Sequence, residues 1–148
     1  MTDTDEARRG WLAVLARATA EEIEQRLAEA PPLPPHRLLR GPEIGLVMVR
    51  GRAGGDGAPF NLGEATVARC SVALEGGAVG HAVRIGRDRR AAELSALLDA
   101  ALQDAALRPA VYAAVVAPLA EAQAARRAAE AERAAATRVE FLTMVQIR

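Results

Sequence analysis

At 148 residues and 51% apolar content, the chain has the size of one domain, taken as residues 1–148, with a core of ordinary extent. Its 19 basic residues balance 19 acidic ones, which excludes the global field that draws nucleic acid or an anionic membrane. A lone cysteine, Cys70, excludes an intrachain disulfide and any multi-cysteine zinc or iron–sulfur site built from this chain alone.

From Asp5 to Ala18, the residues Trp11, Leu12, Leu15 and Ala18 recur at helical spacing, and Thr19 followed by Glu22 is a capping box that starts a second short helix. The PPLPP run at Pro31 to Pro35 ends this pair, because proline lacks the amide donor and pushes its predecessor into extended geometry. Glu43 to Arg50, EIGLVMVR, is apolar on both alternating faces and predicts a strand buried on two sides. The following GRAGGDGAPFNLG predicts a loop, with Gly51, Gly54, Gly55 and Gly57 as its most flexible part. It matches neither GxGxxG nor the P-loop pattern.

Thr66–Leu74 and Ala78–Ile85 flank Glu75-Gly76-Gly77, which predicts an antiparallel hairpin. Alternation assigns Thr66, Ala68, Cys70, Val72 and Leu74 to the core face of its first strand. On the second strand it assigns Val79, His81, Val83 and Ile85. Beyond Gly86 the period lengthens, and Leu94, Leu97, Leu98, Ala101, Leu102 and Ala105 form the stripe of a helix starting near Asp88. Pro109 and Pro118 divide the remainder into a short helix and a longer one, Leu119 to Ala136. The longer one has high propensity, a weak apolar face and a charged face of Arg126, Arg127, Glu130, Glu132 and Arg133. Alternating β-formers from Thr137 to Val145 predict a late strand. The pattern predicts an α+β fold: a mostly antiparallel sheet with a central hairpin and a late C-terminal strand, helices packed on one face.

Every basic residue is arginine, a bias that follows the alanine-rich composition and designates no site. Cys70 lies mid-strand on an apolar face, where a thiol behaves as a small hydrophobe. His36 sits in the proline-rich turn and His81 on a strand, in an aromatic-sized slot at the edge of the core; no histidine pair has metal spacing and HExxH is absent. No catalytic, cofactor or metal residue is therefore assigned. The candidates for contact with a partner or a phosphate are Gly86, Arg87, Asp88, Arg89 and Arg90, where a capped helix start adjoins guanidiniums, and Glu64 and Arg69, charges set within otherwise apolar strands. A strand-to-helix turn with an N-cap and solvated arginines explains the same five residues structurally. With no secretory h-region and no run of about 18 apolar residues, a cytoplasmic location and no membrane partner are expected.

The chain resembles the G subunit of the bacterial carbon–phosphorus lyase system, the PhnG family. Five stretches carry the resemblance by their order and spacing: Trp11–Ala16; Glu43–Val47; Gly63–Thr66 through Arg69; Gly86-Arg87-Asp88 with Ala92-Glu93 and Leu98-Asp99-Ala100; and Arg138–Phe141 with Thr143-Met144-Val145. The chain departs from the pattern at its end, Gln146-Ile147-Arg148, where the family commonly continues into Arg-Gly. The resemblance implies a cytoplasmic core complex with H, I and J subunits, joined more loosely by ATPase-like L and K proteins. It implies displacement of adenine from MgATP by a phosphonate, giving ribose 1-phosphonate 5-triphosphate, with the nucleosidase chemistry on the I subunit and MgATP a substrate of the complex. On this reading the chain is a required, non-catalytic subunit. Two alternatives stand beside it: that the glycine loop at 51 to 57 with Arg87, Arg89 and Arg90 holds triphosphate or phosphonate at a subunit boundary, and that the chain is a stand-alone α+β anion-binding module.

Overall fold

The computed structural model describes residues 3–137, so the late strand expected from Thr137 to Val145 lies, beyond Thr137 itself, outside the described residues. Two helices open the chain, α1 (Asp3–Leu15) and α2 (Ala20–Leu27). Thr19 caps α2 in the expected box: its Oγ1 accepts from the Glu22 amide at 3.2 Å, and its own amide donates to the Glu22 carboxylate at 2.9 Å. Trp11, Leu15, Ala18 and Ile23 are fully buried, so helical spacing located this part of the core.

Three antiparallel strands follow in the order β1 (His36–Arg52), β2 (Pro59–Leu74), β3 (Val79–Ile85). Helix α3 (Arg89–Gln103) covers one face of β2 and β3, burying Leu94, Leu97, Leu98 and Leu102 against Ala68, Cys70, Val72 and Leu74. The α+β class and the one-sided helix layer match the sequence pattern. Arg108–Val111 (α4), a π-helical segment at Tyr112–Val116 and Ala117–Ala136 (α5) then form one continuous rod rather than two separate helices. The wide turn has a local cause. Pro118 cannot donate to the carbonyl four residues earlier, and the ladder there shifts to Ala117 N–H donating to Tyr112.

The predicted hairpin forms, with Ala68 opposite Arg84, Cys70 opposite Ala82 and Val72 opposite Gly80. This register corrects the second strand's core face. Directly opposed residues share a face, so the even positions of β3 point inward with the even positions of β2. Gly80, Ala82 and Arg84 are buried, whereas His81, Val83 and Ile85 are exposed, Ile85 to 85%. His81 fills no slot in the core. Small residues are needed at this crossing because α3 lies directly on the strand: a Cβ added at Gly80 would overlap the Ala96 carbonyl and the Ala100 amide. Gly80→Ala is expected to lower stability by about 3 kcal/mol, since backbone rather than a flexible side chain must move; urea denaturation checks the value, and an unchanged midpoint would contradict this packing.

The first strand also differs from expectation. Among the described residues β1 is an edge strand paired only with β2, and its Glu43–Arg50 stretch is not buried on two sides. The stretch after it is not a long loop either, because β1 and β2 stay paired out to Arg52 opposite Pro59, leaving only residues 53–58 as the turn.

Candidate functional site

The deepest polar group is Asp99 on α3, whose side chain is 0% exposed. Arg8 meets it with both arms of its fork, Nε at 3.1 Å and a terminal nitrogen at 2.7 Å. The Trp11 indole N–H donates at 2.9 Å, the His81 backbone N–H at 3.0 Å and the Gln103 amide at 3.3 Å. These donors come from α1, β3 and α3, so one carboxylate joins both helices to the sheet, and the bond to Asp99 raises the pKa of Arg8. Sequence reasoning missed this group. Its signal was Ser95-x3-Asp99-x3-Gln103, a polar ladder inside an otherwise apolar helix face.

Arg84 is the second buried charge. It donates to the Leu15 carbonyl and the Ser95 hydroxyl at 2.7 and 3.1 Å, and also to the Ala18 carbonyl, closing the C-terminal end of α1. Burial pushes its pKa down, and its Nε–H is buried without a hydrogen-bond partner among the described residues.

The sites expected from the sequence are assembled only in part. Gly86 takes φ +105 and its amide donates to Thr66 at 2.9 Å, so a side chain there would be strained. Asp88 caps α3, accepting from the Ala91 amide at 2.8 Å. Arg90 is committed to Glu24 at 2.8 Å and Glu93 at 3.7 Å, and the Glu24 bond raises its pKa. Arg87 and Arg89 are exposed and form no ion pair among the described residues. Glu64 and Arg69 lie on opposite faces of β2. Glu64 is exposed opposite Met48, while Arg69 holds Glu43 at 2.6 Å across the ladder and, with Arg40, keeps that carboxyl below its ordinary pKa.

The glycine turn belongs to another region. It begins at Arg52, opposite Pro59, while Gly86 bonds Thr66, seven positions further along β2, so about 23 Å separates the two. One molecule cannot close both around one phosphate. Cys70 is buried and donates to the Arg40 carbonyl at 3.3 Å; burial raises its pKa, as a structural thiol requires. Among the described residues, no group of three His, Cys, Asp or Glu side chains is placed to hold a metal ion, and no helix is long and apolar enough to cross a membrane.

What the fold leaves uncovered is an arm. β3 pairs with β2 only from Val67 to Ala73, so the β1–β2 ladder runs on alone from Leu46–Thr66 to the turn. Leu46 and Met48 are exposed on one face and Val47 and Val49 on the other, with Phe60 and Leu62 nearer the tip; Leu46 is 59% and Leu62 66% exposed. An isolated two-stranded ribbon is marginal in water, and apolar side chains on both its faces gain nothing from solvent.

A small α+β domain that spends its buried charges on joining helices to sheet, and projects an apolar two-faced arm, has the form of a component of an assembly. The family model described as "Phosphonate metabolism protein PhnG" matches residues 6–146. A curated relative from Rhizobium meliloti (strain 1021), alpha-D-ribose 1-methylphosphonate 5-triphosphate synthase subunit PhnG, is 49% identical over 143 residues, covering 94% of this chain and 88% of the relative. The chain belongs to the PhnG family.

Proposed function

We propose that this chain is a required, non-catalytic subunit of the synthase that forms alpha-D-ribose 1-phosphonate 5-triphosphate from a phosphonate and MgATP, with release of adenine, in organophosphonate breakdown. It sits in a cytoplasmic core complex with the H, I and J subunits, and the L and K proteins associate more loosely. The observation that carries this reading is the β1–β2 arm, in a chain whose relative is named as a synthase subunit. Complete burial of one such apolar side chain is worth about 1.5–3 kcal/mol, so covering the half-exposed arm returns on the order of 5 kcal/mol to association. Co-expression with the I and H subunits followed by gel filtration tests it. Co-elution is expected, and a chain that elutes alone as a monomer contradicts it.

A second contact is proposed at the Gly86 turn, because Arg87 and Arg89 are exposed there without an ion pair among the described residues. Their guanidiniums suit either a partner carboxylate or a phosphate oxygen of the nucleotide or phosphonate. The double variant Arg87→Ala, Arg89→Ala is expected to fold normally while lowering phosphonate-dependent adenine release of the assembly about tenfold, the effect of losing roughly one charge-assisted bond. Unchanged assembly together with unchanged adenine release rules this contact out.

A further inference from the structure

The outer edge of β3 is closed along half its length and open along the other half. Gly86 N–H bonds Thr66 on β2, so the even-numbered backbone groups of this strand face β2 and the odd-numbered ones face outward. Two of the outward groups are taken by α3: the Val79 carbonyl accepts from Gln103 at 2.8 Å, and the His81 N–H donates to Asp99 at 3.0 Å. The next four in line are the His81 carbonyl, the Val83 N–H and carbonyl, and the Ile85 N–H. None of them has a hydrogen-bond partner among the described residues. A row of unpaired edge groups of this kind is a template for another strand.

Beside this open half runs a groove of about 290 Å³, walled by Leu12 and Leu15 of α1 and Ala16 just after it on one side and by β3 from His81 to Arg84 on the other. A strand laid along the edge sends alternate side chains into that groove and onto the outer face beside Val83 and Ile85, which are 62% and 85% exposed. The groove's charge is one-sided. No carboxylate lines it among the described residues: Arg8 is neutralised by Asp99, whereas Arg84 is bonded only to carbonyls and a hydroxyl, with the Asp88 carboxylate acting on it through space and outside the groove lining. Arg87 and Arg89 stand just past the end of the strand.

We propose that the His81–Ile85 edge of β3 receives an extended segment of another synthase subunit, adding a fourth strand to the sheet, with an apolar side chain in the α1–β3 groove and a carboxylate facing Arg84. This deepens the subunit reading and rests on it. The occupant is a partner rather than the chain's own residues 138–148. The edge asks for an acidic strand, and 138–148 carries Arg138 and Arg148 against a single Glu140. Main-chain pairing supplies the affinity and the groove the selectivity, the division of labour seen wherever a peptide extends a sheet.

Amide hydrogen exchange on the full-length chain, alone and in the complex co-expressed with the I and H subunits, reads the edge directly. Exchange at Val83 and Ile85 is expected to slow about a hundredfold on assembly. The variant Val83→Pro removes one outward N–H and leaves the β2–β3 ladder intact, since an edge strand tolerates proline where its N–H faces away from the sheet. It is expected to weaken co-elution about tenfold, the worth of one lost main-chain bond. If the unmodified chain assembles but Val83 and Ile85 exchange as fast as in the free protein, the proposal is overturned while the subunit reading survives. If the unmodified chain does not assemble, both fall. Protection already present in the isolated monomer gives the edge to the chain's own segment. Protection that appears only as the isolated chain is concentrated gives it to a second copy. Either result overturns the proposal. The exchange measurement needs no substitution, so it decides the matter even if Val83→Pro fails to fold.

Discussion

Asp99→Ala is expected to lower the stability of the isolated chain by about 4 kcal/mol, the range measured when one partner of a buried charge network is removed. The loss exceeds that of an ordinary ion pair because four partners depend on one carboxylate. The Trp11 indole N–H and the His81 N–H lose an acceptor inside the protein, Gln103 loses one of its three, and Arg8 loses its counter-charge. For a domain of this length the melting temperature should fall by about 10 °C. Asp99→Asn keeps the shape and one acceptor oxygen, and should cost roughly half as much. A melting temperature within about 2 °C of the parent for both variants would show that the three elements are held by apolar packing alone. The substitution should also free the His81 N–H, lengthening the unpaired stretch of the β3 edge.

The second large effect falls on assembly rather than on folding. Leu46 and Met48 share one face of the β1–β2 arm, and both are exposed. Replacing both by glutamate therefore removes no buried core contact, and a glutamate at position 48 opposite Glu64 costs the isolated chain only a fraction of about 1 kcal/mol. In a complex that covers the arm, two carboxylates would enter an apolar site, a penalty large enough to weaken association at least about a hundredfold. Melting of the isolated variant and its co-elution with the I and H subunits are the paired measurements. Normal folding with lost co-elution is the expected result, and full co-elution would remove the arm from the interface.

Local chemistry made much of this fold legible in the sequence. Thr19 and Glu22 define a capping box without tertiary help, Glu75-Gly76-Gly77 defines a hairpin, and Asp88 followed by the leucine stripe defines α3. The failures arose where the deciding quantity is non-local. In Val79–Ile85 the β-branched residues occupy odd positions, and hydrophobicity alone turns them inward; the turn register and the close approach of α3 turn them outward instead. Arg84 could not be recognised as buried because its acceptors, the carbonyls of Leu15 and Ala18, are 69 and 66 residues away in sequence. Glu43–Arg50 misled for a related reason. A strand apolar on both faces looks the same whether its own domain or another subunit covers it, and here the described residues of its own domain do not.

The candidate site was legible to a smaller extent. The Gly86–Arg90 turn was found by residue type and is present, but the structure commits Arg90 to Glu24 and leaves Arg87 and Arg89 exposed. The arm and the open β3 edge were not foreseen, because edge status is a property of the assembled sheet. The family pattern at Leu98-Asp99-Ala100 marked the position of the buried hub without revealing its role.

Phosphonate-dependent release of adenine from MgATP by the reconstituted assembly, measured with and without this chain, tests the central claim most directly. The account predicts release only when the chain is present, none from the chain alone, and loss of release with the Leu46→Glu, Met48→Glu variant. Undiminished release from the other subunits without the chain, or release by the chain in isolation, would contradict it.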